Sequence, residues 1–350
     1  MRPTAGKVAP NSLRLLGITF ILAVAELLLT LPARAADWAV ILMYHRFGVS
    51  ATPSTSVTLE QFEAHLEHLK TGGFTVLPVP DIVARLRTGR PLPDMTVGLT
   101  IDDAHVSVHQ EAWPRLKAGG FPFTLFVNTA AVDRGFGNTM TWDQIRELAA
   151  SGVTIGSHGA AHAHMPFEDR ETNLQDLLKS RRRIEEEVGS PPDLFAYPYG
   201  EYSLEVRELV AGAGSAAAFG QHSGVAYSGG DLFALPRFAL NETYGSLGRF
   251  RLVTRALPLR VTDVTPADPV LTMNPPAFGF TLADEEGNLD TLACYASGQG
   301  AGVIERLGER RVQVRLKAPF PPGRARINCT MAGPEGRWRW LGTQFLVPGS

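Results

Sequence analysis

The chain has 350 residues, 44% of them hydrophobic, and a formal net charge of −2. That is enough apolar material for one large domain, or for a large domain with a small one beside it. The near-neutral balance provides no broad basic field, which argues against nucleic acid as a partner, and no motif names a protein partner.

The first residues carry Arg2, Lys7 and Arg14, and an uncharged apolar stretch, "LLGITFILAVA", follows. Glu26 interrupts the apolar character, and "ARA" at 33–35 offers a small-x-small cleavage site. This is the three-part layout of a secretory signal, so residues 1–35 are expected to be removed and the mature chain exported to the periplasm, cell envelope or medium. An uncleaved membrane anchor is the alternative. The short uninterrupted run speaks against it, because a spanning helix needs about 20 apolar residues. No later segment is long and apolar enough to span, so no stable membrane span is expected after cleavage.

From Ala39 to about Ala218 short apolar runs alternate with helical patterns. The expected strands are "AVILMYH", "FTVLPV", "MTVGLTID", "FPFTLFV", "VTIGSH", "DLFAYP" and "SAAAFG". Between them lie segments such as "TLEQFEAHLEHLKTGG", where Thr58 and Gln61 have capping-box spacing and Gly72 marks a stop. Near-continuous apolar strands alternating with helices mean a parallel sheet covered by helices, and about seven strands favour a closed or distorted barrel over an open sheet. Active residues then belong at the carboxyl ends of strands. The charged run "RRRIEEE" reads as a solvated helix face with Arg/Glu pairs at helical spacing.

After about Leu257 the texture shifts to prolines, glycines and short alternating runs. Residues 258–350 read as a small antiparallel β domain, sandwich-like, behind a barrel at 36–257. The only two cysteines, Cys294 and Cys329, both fall there. In an exported chain they are expected to pair as a disulfide. Trp338 and Trp340 in "RWRWLGTQF" alternate on one strand face, which suits core packing better than an exposed sugar platform.

Several polar residues cluster at expected strand ends. Asp102 and Asp103 close one strand, His158, His162 and His164 follow another, "AYPYGEY" follows a third, and His45 follows the first. His158 and His162 stand four apart, so on a helical turn both imidazoles would share a face, which is metal-ligand spacing. A divalent cation also relieves the repulsion between adjacent carboxylates, and ligation by one leaves the other free as a base. A zinc-like ion with an open position, a carboxylate base and a histidine acid together spell metal-assisted hydrolysis of an amide or ester.

The trio "LTIDDA", "GSHGAAHAHM" and "FAYPYGEY" resembles the signature motifs of the polysaccharide deacetylases, carbohydrate esterase family four, over roughly Ala39 to Leu240. "ILMYHRF" is similar to the circularly permuted branch that deacetylates poly-N-acetylglucosamine. The resemblance implies a distorted (β/α) barrel of seven strands that removes acetyl groups from N-acetylhexosamine units of a polysaccharide. It further implies Asp102 as general base, Asp103, His158 and His162 as ligands of a divalent cation (zinc, with cobalt or nickel as alternatives), His45 as general acid, and the Tyr199 backbone N–H as oxyanion donor.

The chain departs from the family pattern in three places. Ala104 and His105 follow the aspartates where the family usually has glycine, and His105 is a candidate substrate contact or a surface histidine. The arginine expected two positions before the third motif's proline is Ala196, for which Arg237 in "ALPRFAL" is the candidate replacement. His164 is a candidate for the groove, with His162 preferred as ligand. Among the aromatics, Tyr197 is a candidate sugar contact, Tyr44, Tyr202 and Trp142 are weighed between rim and core, and Trp113 reads as core. The alternatives to a glycan deacetylase are an amidase or esterase on a small or differently acylated substrate, and a catalytically inactive glycan-binding protein.

Overall fold

The computed structural model describes residues 1–4, 6, 35–283 and 288–349. The signal segment assigned to 1–35 therefore falls almost wholly outside the described residues. Strand β1 (Trp38–Tyr44) is followed by helix α1 (Leu59–Thr71), whose Thr58–Gln61 capping box forms in both directions and whose C-terminal cap is Gly72. Then come α2 (Val79–Thr88), β2 (Thr96–Asp102), α3 (Trp113–Gly119), β3 (Thr124–Val127) and α4 (Thr129–Arg134). After α5 (Trp142–Ala150) the chain continues through β4 (Thr154–Ser157), α6 (Arg170–Val188), β5 (Leu194–Ala196), α7 (Leu204–Gly212) and β6 (Ala217–Phe219).

The strands pair in parallel in the order β6-β5-β4-β3-β2-β1. The two central strands, "WAVILMY" and "TVGLTID", are buried on both faces along almost their whole length, as a helix-covered parallel sheet requires. Alternation then divides β1. Val40, Leu42 and Tyr44 join the large cluster beneath the helices, whereas Ala39 and Ile41 join a second cluster with Phe126, Ala196 and Phe219.

The sheet curls until one segment serves both edges. Leu235 lies in parallel register with Phe219, and Phe238–Ala239, strand β8 after the short antiparallel β7 (Ala226–Tyr227), pairs with Leu42–Met43 of β1. The result is a distorted (β/α) barrel with Arg237 at its seam. The expected strand "FTVLPV" contributes only Thr75–Val76, flanking β2 at Thr96–Val97, because Pro78 caps α2 immediately afterwards. The seventh barrel strand is instead drawn from "ALPRFAL".

Beyond α8 (Leu247–Thr254), strands β9 (Leu257–Pro258) through β16 build two sheets. The first contains β10 (Val261–Thr265), β11 (Phe278–Leu282), β13 (Val303–Arg306) and β14 (Arg311–Arg315), and the second contains β9, β12 (Ala293–Ala296), β15 (Gly323–Ala332) and β16 (Trp338–Val347). Phe278, Phe280 and Val312 of the first share a core with Ile327, Met331 and Phe345 of the second, a sandwich-like packing. All pairings are antiparallel except β9 with β16. Cys294 and Cys329 are direct cross-strand partners and are disulfide-bonded.

Candidate active site and metal centre

Strand register brings the polar residues together. Tyr44 is level with Ile101, so His45 and Asp102 leave the sheet side by side. Val127 is level with Ser157, and Ser157 with Phe195, so His158 emerges beside the end of β5.

Asp102 is the last residue of β2 and is fully buried. Arg237, also fully buried, donates Nη1–H and Nη2–H to its two carboxylate oxygens at 2.7 and 2.8 Å. Arg237 also donates to the Thr100 hydroxyl at 3.1 Å and to the Gly220 carbonyl at 2.9 Å. Burial alone would raise the Asp102 carboxyl, but the Arg237 charge, with His158 and His45, outweighs it and holds the group below its ordinary value. His45 Nε2 stands 3.9 Å from Asp102 Oδ2. Burial lowers the His45 imidazole, while Asp102 and Asp103 pull it back toward the charged form.

Asp103 does not continue the strand. Its φ is +75°, and Ala104 follows at +49°. Two non-glycine residues in the left-handed region store strain of roughly 1–2 kcal/mol each, and they turn the second carboxylate away from the first. Ala104 thus keeps the backbone for which glycine is the unstrained residue.

Asp103 Oδ1 lies 3.5 Å from His158 Nε2 and 3.3 Å from His162 Nε2. One ligand atom from each of the three falls within 4.8 Å of the others. His158 is fully buried, and its Nδ1 donates to the Ala196 carbonyl at 2.7 Å, a partner able only to accept. Its Nε2 is buried without a hydrogen-bond partner. Burial lowers His158 to about 4, against the pull of Asp102 and Asp103, so the ring is neutral with a lone pair aimed at Asp103. An oriented, neutral imidazole with an orphaned buried nitrogen beside a carboxylate and a second imidazole fits a divalent cation.

His158 and His162 do not share a helical turn. The chain from His158 to His164 is irregular, and His162 has φ +56°. The loop is held by Asp176 of α6, whose carboxylate accepts the Ala160 and Ala161 N–H groups at 2.8 and 2.7 Å. Gly159 is required there: its φ is +73°, and a Cβ would lie 2.7 Å from Asp176 Oδ2.

The remaining candidates separate. His105 is neither a surface residue nor part of the cleft. It is buried, with Nε2 3.3 Å from Asp103 Oδ2, on the opposite carboxylate oxygen from His158 and His162. Burial raises Asp103, yet His105 and His162 close beside it, with His45 and His158, hold the carboxyl well below the usual range. Tyr197 is not placed for sugar contact either: it is fully buried, stacks on Tyr202, and donates its hydroxyl to the Phe233 carbonyl. Tyr44 is core, paired with His65, and Trp113 is core as expected. His164 stands at the rim, stacked 4.0 Å on the Tyr199 ring with Nδ1 2.6 Å from Glu201 Oε2. Tyr199 itself has φ +59°. In its turn the Gly200 and Glu201 amides are bonded to Tyr197 and Pro198, while the Tyr199 N–H has no acceptor among the described residues.

His45, Asp103, His162 and Tyr199 line one cleft of about 910 Å³. The polysaccharide deacetylase family model matches residues 89–218, the stretch that contributes Asp102, Asp103, His158, His162 and Tyr199. The chain carries a polysaccharide deacetylase domain. YxkH of Bacillus subtilis, named as a polysaccharide deacetylase, is 25% identical over 197 residues, covering 56% of this chain and 69% of that protein. The Escherichia coli K12 poly-beta-1,6-N-acetyl-D-glucosamine N-deacetylase is 28% identical over 199 residues, covering 44% of this chain and 29% of the relative. Among solved structures, IcaB from Ammonifex degensii aligns with TM-score 0.55 at 25% identity, over 63% of this chain and 97% of that one. The Streptococcus pyogenes deacetylase PplD, with TM-score 0.58 at 21% identity over 63% and 99%, shares the fold.

Outside the matched stretch, the C-terminal sheets supply parts of the site that sequence reasoning missed. Gln344 of β16 donates to the Tyr199 and Gly200 carbonyls at 3.1 and 3.0 Å, holding the strained turn from behind. Trp340, weighed above as core, is half-buried against Phe238 and lines the cleft, whereas Trp338 is exposed. No local sequence signal links these residues to the deacetylase domain, since they meet it only through tertiary packing.

Proposed function

We propose that the protein is an exported, metal-dependent hydrolase that removes N-acetyl groups from N-acetylhexosamine units of an extracellular or cell-envelope polysaccharide. In this reading residues 1–35 are a cleaved leader, 36–257 the catalytic barrel and 258–350 an accessory β module. No helix among the described residues is long and apolar enough to cross a membrane.

The observation that carries the reading is the trio Asp103, His158 and His162 beside the buried Asp102–Arg237 pair. The trio would hold the cation; two imidazoles and a carboxylate suit zinc, and cobalt or nickel would accept the same donors. When bound, the cation supplies Lewis acidity toward the acetyl carbonyl and toward water. Asp102, kept ionised and oriented by Arg237, accepts the proton of the attacking water. The unpaired Tyr199 N–H donates to the oxygen on which charge develops. His45 gives a proton to the departing nitrogen as the C–N bond breaks, leaving acetate and a free amine. Burial lowers the His45 imidazole and so favours release of that proton, while the flanking carboxylates partly offset the lowering.

The test is acetate release from N-acetylglucosamine oligomers by the mature protein, with and without chelator. Release that requires the metal supports the reading, and no release from any N-acetylated glycan removes it.

A further inference from the structure

We propose, resting on the deacetylase reading above, that the cleft selects an acidic glycan, an N-acetylated polysaccharide bearing a carboxylate or phosphate close to the sugar that is deacetylated. Four arginines, Arg46, Arg249, Arg324 and Arg326, line the same cleft as His45, Asp103 and His162. Asp103 is the only carboxylate among the described lining residues, and it is engaged by the histidines.

The arginines come from three parts of the chain. Arg46 follows His45 and donates to the Thr55 hydroxyl. Arg249, on α8, lies over the Tyr244 ring and donates to the Ala239 and Tyr244 carbonyls at 3.2 and 2.9 Å. Arg324 and Arg326 belong to β15, where alternation buries Ala325 and Ile327 in the sandwich core and turns the arginines outward. Arg324 lies over the Tyr199 ring, and its Nε is 3.7 Å from Glu201 Oε1. Arg46, Arg249 and Arg326 make no ion pair with any described carboxylate.

Guanidinium groups gathered in a partly desolvated cleft repel one another unless an anion joins them. Burial lowers Arg46, Arg249 and Arg326; Asp103 partly offsets this at Arg46, and Arg324 adds to it at Arg326. A guanidinium presents a planar fork of donors that matches a carboxylate or phosphate oxygen pair. Neutral poly-N-acetylglucosamine leaves these donors without an anionic partner, and its deacetylated stretches, being cationic, are repelled. An acidic group on the glycan satisfies the arginines and offsets the new ammonium group at once.

The experiment uses the zinc-loaded mature chain and three oligomers of equal length. One is neutral N-acetylglucosamine, one alternates N-acetylglucosamine with glucuronate, and one joins N-acetylglucosamine units through phosphodiesters. Binding is read with the Asp102→Asn variant and kcat/KM with the native chain. At least one acidic oligomer is expected to bind roughly tenfold tighter than the neutral one, with the advantage shrinking at high salt. The acidic oligomer preferred names the anion. Arg326→Gln and, independently, Arg46→Gln are expected to move the acidic-to-neutral ratio toward one. A neutral oligomer bound as tightly as both acidic ones, or a ratio unmoved in both variants, overturns the proposal. Acetate released equally from all three would leave the deacetylase reading standing and remove the acidic preference. An acidic binding preference with no acetate from any oligomer would instead remove the deacetylase reading and keep the anion site.

Discussion

Arg237 grips both carboxylate oxygens of Asp102, and neither side chain is exposed. The two residues lie 135 positions apart, and the pair forms because the segment carrying Arg237 closes the barrel against both β6 and β1. Breaking a buried pair strands the remaining charge, which costs roughly 3–5 kcal/mol. Arg237→Met is therefore expected to lower the unfolding free energy by about that amount and to reduce kcat at least tenfold, because Asp102 loses its orientation. Arg237→Lys should retain part of the stability and less of the activity, as an ammonium cannot reproduce the two-point contact. Denaturant unfolding and acetate release, measured on both variants, check this.

In the proposed metal centre, ligands and supports can be separated by substitution. His158→Ala and Asp103→Asn each remove a donor and should abolish stoichiometric binding of zinc in a chelator-competition titration. His105→Ala leaves all three donors in place but frees the second oxygen of Asp103. It should weaken zinc by about 10–100-fold, the usual effect of losing a group that orients a ligand. An unchanged affinity in His105→Ala would show that its contact with Asp103 does not orient the carboxylate.

Gln344 ties the sandwich to the Tyr199 turn. Gln344→Ala removes the donor to the Gly200 carbonyl, leaves the Tyr199 carbonyl with only the 3.4 Å bond from Arg324, and loosens a residue held at positive φ. The expected outcome is a fall in kcat of about tenfold with zinc affinity unchanged, as for a displaced oxyanion donor. Equal losses in kcat and zinc affinity would point to general disruption of the barrel instead.

Buried histidines set the acid limit of the fold. His65 donates from Nε2 to the Gly245 carbonyl at 2.7 Å, so its Nδ1 must accept from the Tyr44 hydroxyl at 3.1 Å, and the ring is neutral. Burial lowers His65 and His222 from 6.5 to about 4. Between those values the unfolded chain takes up protons that the folded chain refuses. Stability is therefore full above pH 6.5 and falls as pH drops toward about 4, by something on the order of 3 kcal/mol for each histidine. With chelator present His158, also lowered to about 4, adds to the slope. Urea midpoints measured across this range check the sign; a flat profile contradicts it.

Much of the site was legible because its residues cluster in short motifs at strand ends, where a parallel barrel collects them. Asp102, Asp103, His158 and His162 needed only the order of the strands. The helical-turn geometry inferred for His158 and His162 was wrong, because spacing alone does not distinguish a helix from a loop pinned by Asp176. Tyr197 was misjudged for a related reason: the turn at Pro198 and the positive φ of Tyr199 end the strand alternation, so Tyr197 faces the core while Tyr199 lines the cleft. His105 carried no pattern to distinguish a support of Asp103 from a surface residue. The roles of Gln344 and Trp340 depend on how the sandwich docks, which no local periodicity encodes. The seventh strand was hidden because Pro236 and Arg237 break its apolar run.

The central claim is that Asp103 belongs to a cation and Asp102 to a water molecule. It is tested most directly by the Asp102→Asn variant of the mature protein, assayed for bound zinc and for acetate released from N-acetylated oligosaccharide. The account predicts zinc at the native stoichiometry and acetate release reduced by at least about a hundredfold, the scale of a lost general base. Near-native acetate release from that variant, or release by the native chain that persists after chelation, would contradict it.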